Sequence, residues 1–256
     1  MSKRRKFIFT SIILAGAFLI IQLTDVLFRY EAIVAVIVGS GILSLWSLRE
    51  AVGRNATLLT LVLPVAFTAG VGFFYFLLPS ALLARLPVVF LYGLGMYALL
   101  LTANIYNVAA IRTIALLRAA HAVGFLLTLA ASFFLFDTLW SFRLTPWVNG
   151  GGTLLLSFPL VLQSVWSIEL EERLSRRLIL WSVVVSAVLG EIGFMISLWP
   201  VTVVVASLFL TTVLYVLLGL LQAELVGRLF ARTVKEYLLV GLVVLLAVYL
   251  SSKWGG

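Results

Sequence analysis

The sequence predicts an all-α transmembrane helical bundle of about nine spans, on three observations. Of its 256 residues 63% are hydrophobic and 11% charged, with a mean hydropathy of +1.20, against about 45–50% apolar and 25% charged in soluble proteins. The apolar residues gather in runs close to the ~20 residues that a membrane helix needs. These runs lack the alternation of barrel strands, and hydrocarbon excludes an open sheet edge, so helices remain.

The nine runs follow from charged and Pro/Gly punctuation. The first, 7–28, comes after Lys3, Arg4, Arg5 and Lys6. Its Ala15-Gly16-Ala17 has the look of a signal-peptidase site, but the apolar run continues to Phe28, as in an uncleaved first helix. The second, 32–48, stops at Arg49; the third, 56–78, at Pro79; the fourth, 87–109, opens on Pro87 and ends before Arg112. The fifth, 119–142, lies between Arg118 and Arg143, and the sixth is 152–168. The seventh, 178–199, starts after Arg177 and stops at Pro200, leaving 201–221 and 237–252 as eighth and ninth. Within the connection Gln222–Glu236, residues Arg228, Phe230, Ala231 and Arg232 suggest a small interfacial helix.

Charge orients these spans. With the N-terminus cytoplasmic, fourteen basic residues fall on the inner side, and only Arg29, Arg85, Arg143 and Lys253 on the outer. The positive-inside rule then holds at every inner loop, and nine spans place the C-terminus outside the plasma (inner) membrane. The net charge of +8 is thus mainly a topology signal that also attracts anionic lipid. Nucleic acid is not an expected partner, since no basic, aromatic-rich domain exists to bind it. Expected partners are membrane lipids, with other membrane subunits or a second copy of the chain as further options.

Landmarks recur at a spacing of roughly 112 to 121 residues. Asp25 and Arg29 correspond to Asp137 and Arg143, Trp46-Ser47-Leu48 to Trp166-Ser167-Ile168, Pro79 to Pro200 and Arg112 to Arg228. One membrane domain over 1–256 is expected, built as a parallel four-plus-four repeat, 1–118 and 119–236, with an extra helix at 237–256. The alternative is that these residue types simply favour helix ends.

Composition removes much chemistry. Cysteine is absent and His121 is the only histidine, so thiolate sites and clustered metal ligands are not expected. No cofactor is expected either: there is no P-loop or Gly-rich dinucleotide fingerprint, and the last span lacks the lysine that would hold retinal. The seven tryptophans fall near span ends, where indoles anchor at the headgroup level.

Candidate substrate- or ion-binding residues are therefore the polar exceptions, because an ionisable side chain at bilayer depth costs about 2.5–3.5 kcal/mol on insertion scales. Glu191, between Gly190 and Gly193, is the deepest; it either binds a proton or cation or locks two helices together. Asp25 and Asp137 lie near outer span ends. Either they anchor those ends, Asp25 pairing with Arg29 at i,i+4, or they converge with Glu191 on an outward-facing cavity. Asn104 and Asn107 share a helical face near Arg118 and His121, suited to packing a tight turn or holding a substrate; His121 could pair with Glu169 or titrate.

The segments Asn104-Ile105-Tyr106-Asn107-Val108-Ala109-Ala110-Ile111-Arg112 and Arg118-Ala119-Ala120-His121-Ala122-Val123-Gly124-Phe125 resemble uncharacterised multi-pass membrane proteins of small-genome candidate-phylum bacteria. The resemblance covers about a sixth of the chain, implies a bacterial inner membrane and supplies no catalytic residues. The favoured function is a secondary transporter or permease for a small solute or ion. The alternatives are a non-catalytic membrane scaffold or assembly subunit, and an intramembrane enzyme on a lipid-linked substrate, with enzyme the less favoured class.

Overall fold

The computed structural model describes residues 2–22, 28–49, 57–78, 82–109, 115–171 and 174–252. Asp25, Arg54, Pro79, Arg112, Arg173, Lys253 and Trp254 lie outside the described residues. The described residues form nine helices: α1 Lys3–Gln22, α2 Arg29–Leu48, α3 Thr57–Leu77, α4 Leu82–Ala109, α5 Leu117–Ser141, α6 Pro146–Glu169, α7 Arg176–Ile196, α8 Val203–Leu225 and α9 Ala231–Ser251. Helices α2 to α9 are each long and apolar enough to cross a membrane. The first turn of α1 holds Lys3, Arg4, Arg5 and Lys6, so its apolar part is shorter.

Two sequence expectations are corrected. Arg85, read as a loop residue, is buried in the first turn of α4, its guanidinium 4.8 Å from the centre of the Tyr75 ring. No separate interfacial helix lies between α8 and α9. Gly227 takes φ +69, its N–H donates to Glu224 O (2.9 Å) and the Arg228 N–H to Ala223 O (2.7 Å). That is a Schellman stop, after which the Phe230 N–H donates to Arg228 O at 3.0 Å, Phe230 is extended, and Arg232 already belongs to α9, where it pairs with Glu236 at 3.0 Å.

The chain divides into two compact units, Met1–Ala131 with Leu170–Arg173, and Ser132–Glu169 with Leu174–Gly256. In the first, α1 packs on α2 and α4, and α3 on the same two helices, closing a four-helix ring. Its centre is aromatic: Tyr92 stacks on Phe67 (5.6 Å, 10°) and meets Phe18 edge-on (4.6 Å, 75°). Buried hydroxyls are joined across helices, Thr68 to Tyr92 at 2.9 Å and Thr10 to Ser47 at 2.6 Å.

In the second unit, α6 and α7 make the most extensive contact. Lipid tails are as apolar as leucine, so helices inside a membrane associate through close packing and hydrogen bonds rather than hydrophobic drive. Small residues permit that approach. A Cβ on Gly150 would stand 2.9 Å from Gly190 O, and one on Gly193 2.9 Å from Thr153 Oγ1. The far ends of α5 and α7 meet α8 and α9 in an apolar cluster of Phe136, Trp140, Ile196, Ala206, Phe209, Leu210 and Val248. Helix α9 is peripheral, with Val248 its buried residue; its Tyr237 ring lies on Gly219 so closely that any Cβ there would overlap it.

This packing separates two neighbouring glycine substitutions. Gly193→Ala pushes a methyl into Thr153 and lowers stability by about 1–3 kcal/mol. Gly151→Ala, where a Cβ meets nothing within 4 Å, is neutral or stabilising by up to about 1 kcal/mol. Unfolding titrations of both variants in mild detergent check this; equal effects would remove the proposed contact.

Candidate functional site

Helix α6 carries a run of buried polar residues, Asn149, Thr153, Ser157, Gln163, Ser164 and Ser167. At 3.6 residues per turn these positions occupy one third of the helix circumference. The same face bears Leu160 and looks towards the small-residue side of α7, formed by Ser182, Ser186, Gly190 and Gly193, all buried. Helix α8 also contacts both α6 and α7. The result is a polar seam within an apolar three-helix arrangement.

Part of the seam is internally satisfied. Asn149 Nδ2 donates to Ser197 Oγ at 2.8 Å, just beyond α7, and Gln222 Nε2 of α8 donates to Ser164 Oγ at 3.0 Å. Thr153, Ser167 and Ser182 return their hydroxyl protons to carbonyls on their own helices at 2.7 to 2.8 Å. Three seam atoms are buried and have no hydrogen-bond partner: Asn149 Oδ1, Ser186 Oγ and Gln163 Oε1. An unsatisfied buried polar group costs on the order of 1–3 kcal/mol. Asn149 and Gln163 are fourteen residues apart, about 21 Å along the helix, so the open atoms trace a line rather than one pocket. Two are carbonyl oxygens and the third is a hydroxyl, a set that accepts hydrogen bonds from a water or an ammonium and can coordinate a metal cation.

The sequence candidates are distributed differently. Glu191 is nine residues from Ser182, half a turn out of phase, and is exposed. It lines an open groove of about 510 Å³ between α6 and α7 with Trp147, Gly150, Leu154, Phe194 and others. Asp137 is buried at 4% exposure, its Oδ1 without a hydrogen-bond partner, like the Trp140 Nε1 one turn on; Asp137 is not among the residues of the Glu191 groove. Arg143, at φ 50 just past α5, is exposed.

Asn104, Asn107 and His121 belong to the first unit. The Tyr106 and His121 rings are 5.6 Å apart, and the Tyr106 hydroxyl donates to Ala120 O at 2.9 Å. Asn104 Oδ1 and Asn107 Nδ2 are buried without hydrogen-bond partners. Asp25 lies outside the described residues. Among the described residues no three of His, Asp and Glu gather as metal ligands would.

The α6 seam is uncharged, and its signal in the sequence is one of spacing. Asn149, Thr153, Ser157, Ser164 and Ser167 recur at intervals of 4, 4, 7 and 3 residues, the register of a single helical face.

Compared with known families, residues 8–251 match one described as a protein of unknown function, DUF5656. The chain belongs to the DUF5656 family. No curated protein and no solved structure matches it. The match covers nearly the whole chain and takes in both units, so the α6 to α8 seam of this DUF5656 chain and the Asn104–His121 junction both fall within it.

A double-mutant cycle on Ser164→Ala and Gln222→Ala measures the cross-helix bond of the seam. The expected coupling is about 0.6–1.7 kcal/mol, the range found for such bonds in membranes. Additive single effects would show that the bond does not contribute.

Proposed function

We propose that this multi-pass DUF5656 chain is a secondary transporter- or permease-like protein for a small cation or hydrogen-bond-donating solute, and that the solute moves along the α6/α7/α8 seam. The single observation behind this reading is the line of buried, unpartnered acceptors, Asn149 Oδ1, Ser186 Oγ and Gln163 Oε1. In hydrocarbon such groups persist where they line a water-filled path or are met by a passing solute. The seam carries no cationic side chain, which favours positively charged or donor-rich solutes over anions.

The loop charges support an inner-membrane orientation with the N-terminus cytoplasmic and the C-terminus outside. We also read the chain as a four-plus-four duplication with α9 appended. In support, Trp46-Ser47-Leu48 and Trp166-Ser167-Ile168 close α2 and α6, the second helix of each half. In this reading Glu191 sits beside the path rather than in it. The scaffold reading draws support from α9, whose apolar side chains are nearly all exposed, although lipid covers such a face equally well. An intramembrane enzyme would need two carboxylates on one cavity, and Asp137 is not among the residues lining the groove of Glu191.

Flux into vesicles containing the purified chain tests the proposal, with protons, Na⁺, K⁺ and methylammonium as probes. The wild type is expected to pass at least one of them. Gln163→Leu should reduce that flux at least tenfold while the folded yield is retained, and Glu191→Gln should leave it within twofold. Undiminished flux in Gln163→Leu, or no flux of any probe in the wild type, would refute the path.

A further inference from the structure

The first unit carries an apolar groove between α1 and α4, about 420 Å³ in volume, with Ile12, Ala15, Val89, Phe90 and Gly93 along its length and Tyr97 at one end. Its one other polar residue, Ser11, is buried and spends its hydroxyl on Phe7 O at 2.9 Å. Gly93 keeps the groove open, since a Cβ there would come within 3.3 Å of the Ala15 methyl. From Leu86 to Tyr97 the α4 wall runs eleven residues, about 16 Å. That is close to half of the ~30 Å hydrocarbon core, the depth of one leaflet.

The Tyr97 end of the groove is cationic. Arg4 donates from Nε to the Tyr97 hydroxyl at 3.2 Å, which ties the guanidinium to the groove mouth. Its two terminal nitrogens have no partner among the described residues. Lys3 and Arg5 flank it and are exposed, whereas Lys6 is engaged over the Trp46 ring at 5.6 Å. All four cations stand in the first turn of α1, the positive end of its dipole, where they repel the helix unless an anion is present. By contrast, the groove along α2 ends at Glu31, which would repel a phosphate.

We propose that the α1/α4 groove is a binding site for an anionic phospholipid. One acyl chain lies against Ile12, Ala15 and Gly93, and the phosphate accepts from the Arg4 guanidinium beside Tyr97. The groove supplies length for a single leaflet's chain, and the tethered arginine selects the charge of the head group. The site lies wholly in the first unit and does not depend on the solute path.

The full chain, reconstituted with equal phosphatidylglycerol and phosphatidylcholine and then released for native mass spectrometry, tests the site. The wild type should retain phosphatidylglycerol at least fivefold over phosphatidylcholine. Arg4→Gln should bring that ratio to near one, the neighbouring Arg5→Gln should leave most of it, and Gly93→Leu should displace bound lipid of either kind. Circular dichroism of each variant confirms that the helices are retained. Equal retention of the two lipids by the wild type overturns the site. So does an equal loss in Arg4→Gln and Arg5→Gln, the sign of diffuse attraction, or full lipid retention in Gly93→Leu.

Discussion

Inside a bilayer nothing pushes apolar helices together, so close approach must be built from backbone, and α6 against α7 is where this chain does so most fully. Gly150, Gly190, Gly193 and Thr153 bring the two helices near enough that an added methyl would collide. That approach has a consequence for polarity. Residues small enough to permit it include serine and threonine, and here they come with Asn149 and Gln163 on the same face of α6. The tightest helix pair of the second unit is thus also a polar one, and Asn149 Oδ1, Ser186 Oγ and Gln163 Oε1 are buried in it without hydrogen-bond partners.

The two units solve the same problem in different ways. The first is centred on aromatic rings, with Phe18, Phe67, Tyr75 and Tyr92 filling the space between four helices and hydroxyl pairs joining α1 to α2 and α3 to α4. Among the described residues, its buried side-chain atoms without hydrogen-bond partners are Arg29 Nε and Ser44 Oγ on α2 and Asn104 Oδ1 and Asn107 Nδ2 on α4. The second sets a line of small polar residues on α6 and α7 beside a buried apolar cluster of Phe136, Trp140, Ile196 and Leu210. The proposed solute path therefore lies in the second unit and the proposed lipid groove in the first.

The nine helices of the described residues, and their order, were legible from apolar runs set between charged and Pro/Gly punctuation. Their ends were less so. Helix α4 begins at Leu82 rather than 87, since Arg85 is buried against Tyr75 instead of ending the span, and Pro87 is tolerated within the helix. Helix α6 begins at Pro146 rather than 152. Gly150, Gly151 and Gly152 read as a break in a sequence, but in this packing Gly150 and Gly152 are contact residues, against Gly190 and Leu139. Of the candidate residues, charge singled out Glu191, which the fold turns outward, while uncharged Asn149 and Gln163 face inward. Helical phase decides that difference, and insertion cost per residue contains no phase.

A solute path along the α6/α7/α8 seam would admit water where the apolar cluster beside it would not. The chain has no cysteine, so single cysteines report this directly. Ser186→Cys and Ala206→Cys both replace residues at 0% exposure, one in the seam and one in the apolar cluster. Labelling by a small, membrane-impermeant thiosulfonate in sealed vesicles should proceed at Ser186→Cys at least tenfold faster than at Ala206→Cys. A cysteine at 186 as inert as the one at 206 would contradict a solute path along the seam.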